Sequence, residues 1–279
     1  MPALYRPFTK KYLYFDDFWN EEQYQLNKIF TEENEYENIV ICFPAIGGRT
    51  KYWCFSTKII PNLTLTSVDG TQCIPFYIKA EEGTRQSENI TDWALKEYQE
   101  HYSDPKITKW DIFYYVYGLL HAPGYRTKYA ANLRRELPRI PFAPNFRAFS
   151  EAGKQLADLH VNYESQPEYP LGMQEAPGKP LNWRVQKMKL SPDKTAVIYN
   201  DFLTLTGVPL QVYDYKLGNR SALEWIIDQY RVKTDPRSGI TNDPNNPEDE
   251  QYIVRLIKKI VTVSLETVKI VNSLPAEFE

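Results

Sequence analysis

The chain has 279 residues, enough to bury a substantial core in one large domain or two lobes. Hydrophobic residues make up 42% and charged residues 25%, the balance of an ordinary soluble globule, and no run approaches the roughly 20 apolar residues that span a membrane. The net charge of −3 argues against a free-standing nucleic-acid binder, which is usually basic because phosphate contacts dominate its affinity.

The charge is unevenly spread. Acid concentrates in Asp16 to Glu37 and Glu248 to Glu250, and base in Arg126 to Arg139 and Lys179 to Lys194. The 21 tyrosines, each an apolar ring with a polar tip, suit lobe interfaces and wet binding surfaces. Cys42, Cys54 and Cys73 are odd in number and lack CxxC spacing, which predicts reduced thiols in a cytoplasmic protein and no zinc site. The N-terminus carries no signal-peptide pattern. Its abrupt start, Met1-Pro2-Ala3 straight into an aromatic motif, reads as a piece excised from a larger chain.

In chain order, residues 1–36 are aromatic and then acidic, with a helix predicted around Glu21 to Phe30. Residues 38–79 read as β: NIVICFPAI is a buried-strand run, KYWCFSTKII and LTLTSV alternate, and Asp69-Gly70 signals a hairpin turn before TQCIPFYI. Lys79 to Asn89 reads as a polar linker. Residues 91–164 are helical. Thr91 caps a helix bearing Trp93 and Tyr98, and Thr108 with Asp111 forms a capping box for an apolar helix through Leu120. His121-Ala-Pro-Gly breaks that helix, because Pro123 lacks an amide donor. A second, basic helix then carries Arg126, Lys128, Arg134 and Arg135, with Arg139 past its end. Asn145 caps a third helix with Phe146, Phe149, Gly153, Leu156, His160 and Tyr163 on one stripe.

Gln166 to Pro180, rich in Pro and Gly, marks a junction or long loop. Strands are expected at RVQKMKL, TAVIYND, FLTLTG and PLQVYDY. Ser221 and Glu224 make another capping box, residues 231–247 a polar loop, and Pro247 to Ser273 a long closing helix. The fold class is α+β, two β-containing segments separated by a helical segment, with a long C-terminal helix. The division is 1–90, an N-terminal β-rich lobe; 91–165, a central helical segment; and 166–279, a C-terminal β-containing lobe with its closing helix.

Catalytic signatures are sparse. There is no GxxxxGK[ST] P-loop, no GxSxG elbow, no HExxH and no Asn-Pro-Pro-Tyr. Pro192-Asp193 followed by Asp214-Tyr215-Lys216 fits the loose PD-(D/E)xK pattern, so one alternative is a Mg²⁺-dependent nuclease using Asp193, Asp214 and Lys216. The other alternative is a docking scaffold with an aromatic surface. His101 and His121 fall near helix ends, His160 falls on a packed stripe, and none has a metal partner at ligand spacing.

The basic clusters carry the positive hypothesis. Ala45 to Lys51 puts two glycines and two cations in one loop. Arg49 there can address guanine O6 and N7 bidentately, and Lys51 or Lys58 can take phosphates. Arg126, Lys128 and Arg134 suit phosphate positioning more than base reading. Arg184, Lys187, Lys189 and Arg220 form a second basic group, in which 187 and 189 share a strand face and 184 takes the opposite one.

The run WDIFYYVYGLLHAPGYRTKYAANLRRELPRIP (Trp110 to Pro141) resembles a signature in the C-terminal part of type ISP restriction-modification enzymes. YRPFTKKYLYF, FSTKIIPNLTL, TQCIPFYI, VYDYKLGNRSALEWIIDQY and SGITNDPN resemble further motifs of that family in the same order, so the resemblance covers nearly all of the chain. It implies a target recognition domain that reads a short duplex DNA sequence without catalysing anything itself. It also implies partners, an adenine methyltransferase and a helicase-nuclease in the same parent chain, and no membrane. No cofactor is expected in this segment; S-adenosylmethionine, ATP and Mg²⁺ would serve the parent enzyme.

Overall fold

A computed structural model of the chain describes residues 1–16, 18–20, 22–31, 38–79 and 86–279. The acidic run and the polar linker expected on either side of the first β block therefore lie partly outside the described residues. The chain opens with a hairpin, β1 (Pro2–Arg6) and β2 (Thr9–Tyr12). Of the helix expected from Glu21, the described residues form the single turn α1 (Leu26–Ile29).

Six short strands follow: β3 (Val40–Pro44), β4 (Phe55–Thr57), β5 (Ile60–Pro61), β6 (Thr71–Pro75), β7 (Tyr77–Lys79) and β8 (Gln86–Glu88). β3 is the centre of an antiparallel β4-β3-β6 sheet, while β5 leaves it to pair parallel with β1. The alternating LTLTSV run forms turns instead of the expected strand. Asn62 Oδ1 accepts from both the N–H and the hydroxyl of Thr64, and Thr71 Oγ1 accepts from Leu65 N–H. Short polar side chains here outcompete a ladder for the backbone.

The helical segment begins with α2 (Asp92–His101), capped by Thr91, and α3 (Lys109–His121), which opens on the expected Thr108–Asp111 capping box. Pro123 stops α3 and starts α4 (Pro123–Lys128), where its missing N–H costs nothing. The basic helix is shorter than the sequence suggests. After Lys128 the chain runs in turns, because the Arg134 carbonyl accepts from Gly47 N–H at 2.8 Å and the Asn132 carbonyl collects the amides of Arg135 and Glu136. α5 (Phe146–Val161) follows its Asn145 cap as expected.

The Pro/Gly-rich junction contains a strand, β9 (Gly172–Glu175). With β10 (Lys189–Leu190), β11 (Ala196–Ile198) and β12 (Leu203–Thr206) it makes an antiparallel sheet of order β10-β11-β12-β9. PLQVYDY forms a 3₁₀ turn over Leu210–Asp214 rather than a strand. Val212 and Tyr215, three residues apart, both bury their side chains, which suits three residues per turn as well as the sequence suited alternation. The hairpin β13 (Lys216–Leu217) and β14 (Arg220–Ser221) leads into α6 (Ala222–Gln229), whose Ser221–Glu224 capping box is present. The expected polar loop contains a second hairpin, β15 (Lys233–Thr234) and β16 (Thr241–Asn242), before the closing helix α7 (Tyr252–Asn272).

Two apolar cores organise these elements. One joins Leu4, Phe8, Trp53 and Phe55 to the C-terminal sheet, α6 and the first half of α7. The other joins Ile41, Phe43 and Phe76 to α2, α3 and α5. α3 and α5 touch backbone to backbone: a Cβ on Gly118 would sit 2.2 Å from the Phe149 carbonyl oxygen, and one on Gly153 would sit 1.8 Å from that of Tyr114. A polar seam runs between the cores. The Tyr117 hydroxyl lies 2.6 Å from His160 Nδ1, Thr267 Oγ1 lies 2.9 Å from His160 Nε2, and His121 Nδ1–H donates to the Tyr117 carbonyl at 2.9 Å. His160 lies between the Phe55 and Tyr215 rings. Burial, reinforced by Arg126, lowers the His160 pKa to about 3 and depresses that of His121 as well.

Two consequences can be measured. Gly153→Ala must push α3 and α5 apart, so its unfolding free energy in urea should fall by about 3 kcal/mol, the cost of overpacking a core. An unchanged midpoint would contradict the close crossing. The histidines set a pH dependence. Their folded pKa values lie below the unfolded value of about 6.5, so the unfolded chain binds more protons in between. Stability is therefore complete above about pH 6.5 and falls on acidification, by up to about 1.4 kcal/mol per pH unit for each histidine. Urea midpoints from pH 7 to pH 5 should decline, with no imidazole shift for His160 in the folded protein. A flat profile would show that the two rings are not held neutral.

Candidate nucleic-acid interface

The β1–β2 hairpin is pinned by its own turn. Phe8 sits there at φ +58, in the left-handed region that non-glycine residues avoid, and is fully buried. Its ring meets Phe55 and Tyr163 edge-on at 5.1 Å, and its carbonyl accepts from the Tyr230 hydroxyl at 3.3 Å. The anchored turn projects Arg6 and Lys11 toward the C-terminal hairpins. Arg6 Nη1 donates to the carbonyls of Tyr5 and Thr64, both at 2.9 Å, and Lys11 Nζ bonds Asn242.

Opposite them, Gly218 turns the β13–β14 hairpin at φ +68 and so presents Arg220. The Arg220 guanidinium lies 4.9 Å over the Trp225 ring and 3.5 Å from Asp228. Trp225 is itself fixed by its indole N–H, which donates to the Leu217 carbonyl at 3.0 Å. Asp228 also faces Arg231 at 3.6 Å. These groups, with Lys233 from β15, line an open cleft of about 590 Å³. Its walls carry five cations, Arg6, Lys11, Arg220, Arg231 and Lys233, against two carboxylates, Asp228 and Asp235. Motifs far apart in sequence meet here: YRPFTKKYLYF supplies one wall, and VYDYKLGNRSALEWIIDQY with SGITNDPN the other.

The cleft borders the turn that holds the glycine loop. Thr66, Ser67 and Val68 line it, and Asp69, next in the chain, holds Arg49. Arg49 Nε donates to Asp69 Oδ1 at 2.9 Å and its backbone N–H to Oδ2 at 3.1 Å, while the side chain stays 76% exposed. The guanidinium, then the backbone N–H, keeps the Asp69 carboxyl below its ordinary pKa. On its other side the loop meets Arg134 through Gly47, at φ +81. Arg134 and Arg135 are exposed and make no ion pair among the described residues.

Arg49 thus stands beside the cleft that Arg220 lines, and its loop abuts the turn bearing Arg134, a basic strip with Lys51 exposed on the same loop as Arg49. Arg184 reaches its rim, paired with Asp243 at 2.6 Å beside Asn242. Lys187 and Lys189 are exposed on the adjoining segment, where Gln186 O accepts from Val232 N–H at 3.0 Å. The remaining three sit elsewhere. Lys58 borders a groove with Lys154 and Asp158, Lys128 pairs with Glu279, and Arg126 turns inward. Arg126 Nε donates to the Leu120 carbonyl at 2.5 Å and Nη2 to Cys54 Sγ at 3.2 Å.

Sequence reasoning missed Arg6, Lys11, Arg231 and Lys233. Arg6 and Lys11 lie within an aromatic motif, Lys11 next to Lys10, and Arg231 and Lys233 lie just past another, so none belongs to a long charge run. The nuclease pattern meets different surroundings at its two ends. Asp193 accepts from Ser191 Oγ at 2.6 Å and Thr195 Oγ1 at 2.7 Å, bonds that lower its pKa to about 2. Asp214 and Lys216 line a pocket of about 380 Å³ to which Asp193 does not belong. Among the described residues, no group of three or more His, Cys, Asp or Glu is placed to hold a metal ion.

A cleft with this excess of cations suits an anionic partner. The chain belongs to the Type ISP C-terminal specificity domain family, whose model matches residues 1–257. Three solved structures resemble it over its full length. A DrdV–DNA complex is 39% identical with a TM-score of 0.89. A nuclease-deletion mutant of the Type ISP restriction-modification enzyme LlaGI, in complex with a DNA substrate mimic, is 36% identical with a TM-score of 0.84. The ATP-dependent Type ISP restriction-modification enzyme LlaBIII bound to DNA is 34% identical with a TM-score of 0.87. The chain spans 28%, 25% and 18% of those three chains, respectively. No curated protein matches it.

Proposed function

We propose that this chain reads a short duplex DNA sequence as the target recognition domain of an ATP-dependent restriction-modification enzyme. The observation that carries this reading is the basic strip from Arg134 through Arg49 to the Arg6–Arg220 cleft. It is supported by full-length likeness to three proteins solved with DNA or a DNA mimic. Base contacts specify the site and phosphate contacts set the register. Arg49 suits base reading: Asp69 fixes its guanidinium at an exposed loop tip, so a bidentate bond to guanine costs little ordering.

On this reading the domain is non-catalytic. It positions an adenine methyltransferase and a helicase-nuclease of the same parent chain, so that the correct adenine is flipped. S-adenosylmethionine, ATP and Mg²⁺ belong to those parts. The sequence carries no ATP-binding P-loop, and among the described residues no group of three or more His, Cys, Asp or Glu is placed to hold a metal ion. A cytoplasmic site of action fits three free cysteines. No helix among the described residues is long and apolar enough to cross a membrane.

The test is selection of bound duplexes from a randomised library at two salt concentrations. One short motif should be enriched, with affinity falling steeply as salt rises. Arg49→Lys should then relax one position of that motif, by about 1–3 kcal/mol of discrimination. No enrichment, either alone or with the methyltransferase fused on, would sink the recognition reading and leave a docking module.

A further inference from the structure

We infer that the cleft between the first hairpin and the C-terminal hairpins is a phosphate clamp. It takes the DNA backbone and leaves base reading to other parts of the strip, so the inference rests on the DNA-recognition reading above. The argument is one of donor and acceptor supply. Reading a mixed sequence needs acceptors as well as donors, because adenine N6 and cytosine N4 present N–H groups in the major groove. A phosphate presents acceptors only.

Both carboxylates of the cleft already have partners. Asp228 faces Arg220 at 3.5 Å and Arg231 at 3.6 Å, and Gln229 Nε2 donates to it at 2.7 Å. Asp235 is occupied by its own turn, accepting from the N–H groups of Arg237 at 2.8 Å and Ser238 at 2.9 Å. Asn242 Oδ1 accepts from Lys11. The donors remain in surplus: five cations line the cleft against those two carboxylates. Lys233 has no ion pair among the described residues, and Arg220 is 46% exposed at its guanidinium-bearing side chain. Stacking on Trp225 leaves the outer edge of Arg220 free for a fork of two bonds to phosphate oxygens. Lys11, bonded to Asn242, and Lys233 supply point charges from opposite walls.

The experiment compares this chain with Lys11→Gln, Lys233→Gln and the double variant, each checked for an unchanged urea midpoint. Both side chains are exposed, so the fold should persist. Affinity is measured against the enriched duplex and an unrelated one from 50 to 200 mM salt. Each substitution should weaken binding to both duplexes by the same factor. Each should also lower the slope of log affinity against log salt by about 1, and the double variant by about 2. The enriched motif should stay the same. Loss confined to the enriched duplex, or a changed motif, would make the cleft a base reader and overturn the clamp. Unchanged affinity and slope would place DNA elsewhere and overturn it too. Failure of the unsubstituted chain to bind any duplex, both alone and with the methyltransferase fused on, would instead sink the recognition reading on which the clamp rests.

Discussion

The structure depends on a single strand buried on both faces. In β3, Val40 and Cys42 point into one core, and Ile41 and Phe43 into the other. A strand with no wet face reads as an unbroken apolar run, and NIVICFPAI is one. Because side chains alternate, a one-residue slip of β3 would exchange the contents of two cores at once. The strand therefore fixes the helical layer against the C-terminal sheet, with α7 serving both: Ile253 to Val263 pack into the first core, and Ile270 and Val271 against the second.

Between the cores the interior is polar, and this bears on the basic strip. Arg126 enters the seam toward Cys54, close to His121, so one of the cations of the basic run helps to hold two histidines neutral. Burial pushes the Cys54 thiol up to about 11 despite that neighbour, which leaves it an inert packing group. Hydrogen bonds link Tyr117 to His160, His160 to Thr267 and His121 to the Tyr117 carbonyl, so the seam ties the layers together. The outward face is left to the glycine loop, the turns after α4 and the terminal hairpins.

What was legible in the sequence was local. Thr108–Asp111 and Ser221–Glu224 were visible as capping boxes because every atom they need lies within four residues. The long closing helix was visible from its apolar stripe. The errors arose where distant contacts decide. The basic helix is cut short by a bond from Gly47, and PLQVYDY, too short to tell a period of two from one of three, became a 3₁₀ turn. The site was half legible. Arg49 and Arg220 stand in recognisable loops, but the cleft collects its other cations singly from both ends of the chain. A charge run such as Arg126 to Arg139 looks like an interface, yet three of its members spend their charge at home: Arg126 on Cys54, Lys128 on Glu279 and Arg139 on Glu136.

The bond from the Tyr230 hydroxyl to the Phe8 carbonyl joins residues 222 positions apart. Its consequence is one of timing. Within this domain the first hairpin precedes α6, so the Phe8 carbonyl waits for Tyr230 although Phe55 and Tyr163 reach its ring sooner. Closing so long a loop adds little to the entropy cost, which grows only with the logarithm of length, yet it orders events. The cationic wall of Arg6 and Lys11 gains its opposite wall only when nearly the whole domain exists. An unfinished chain therefore carries one cationic wall without the other, and the cleft arrives with the fold.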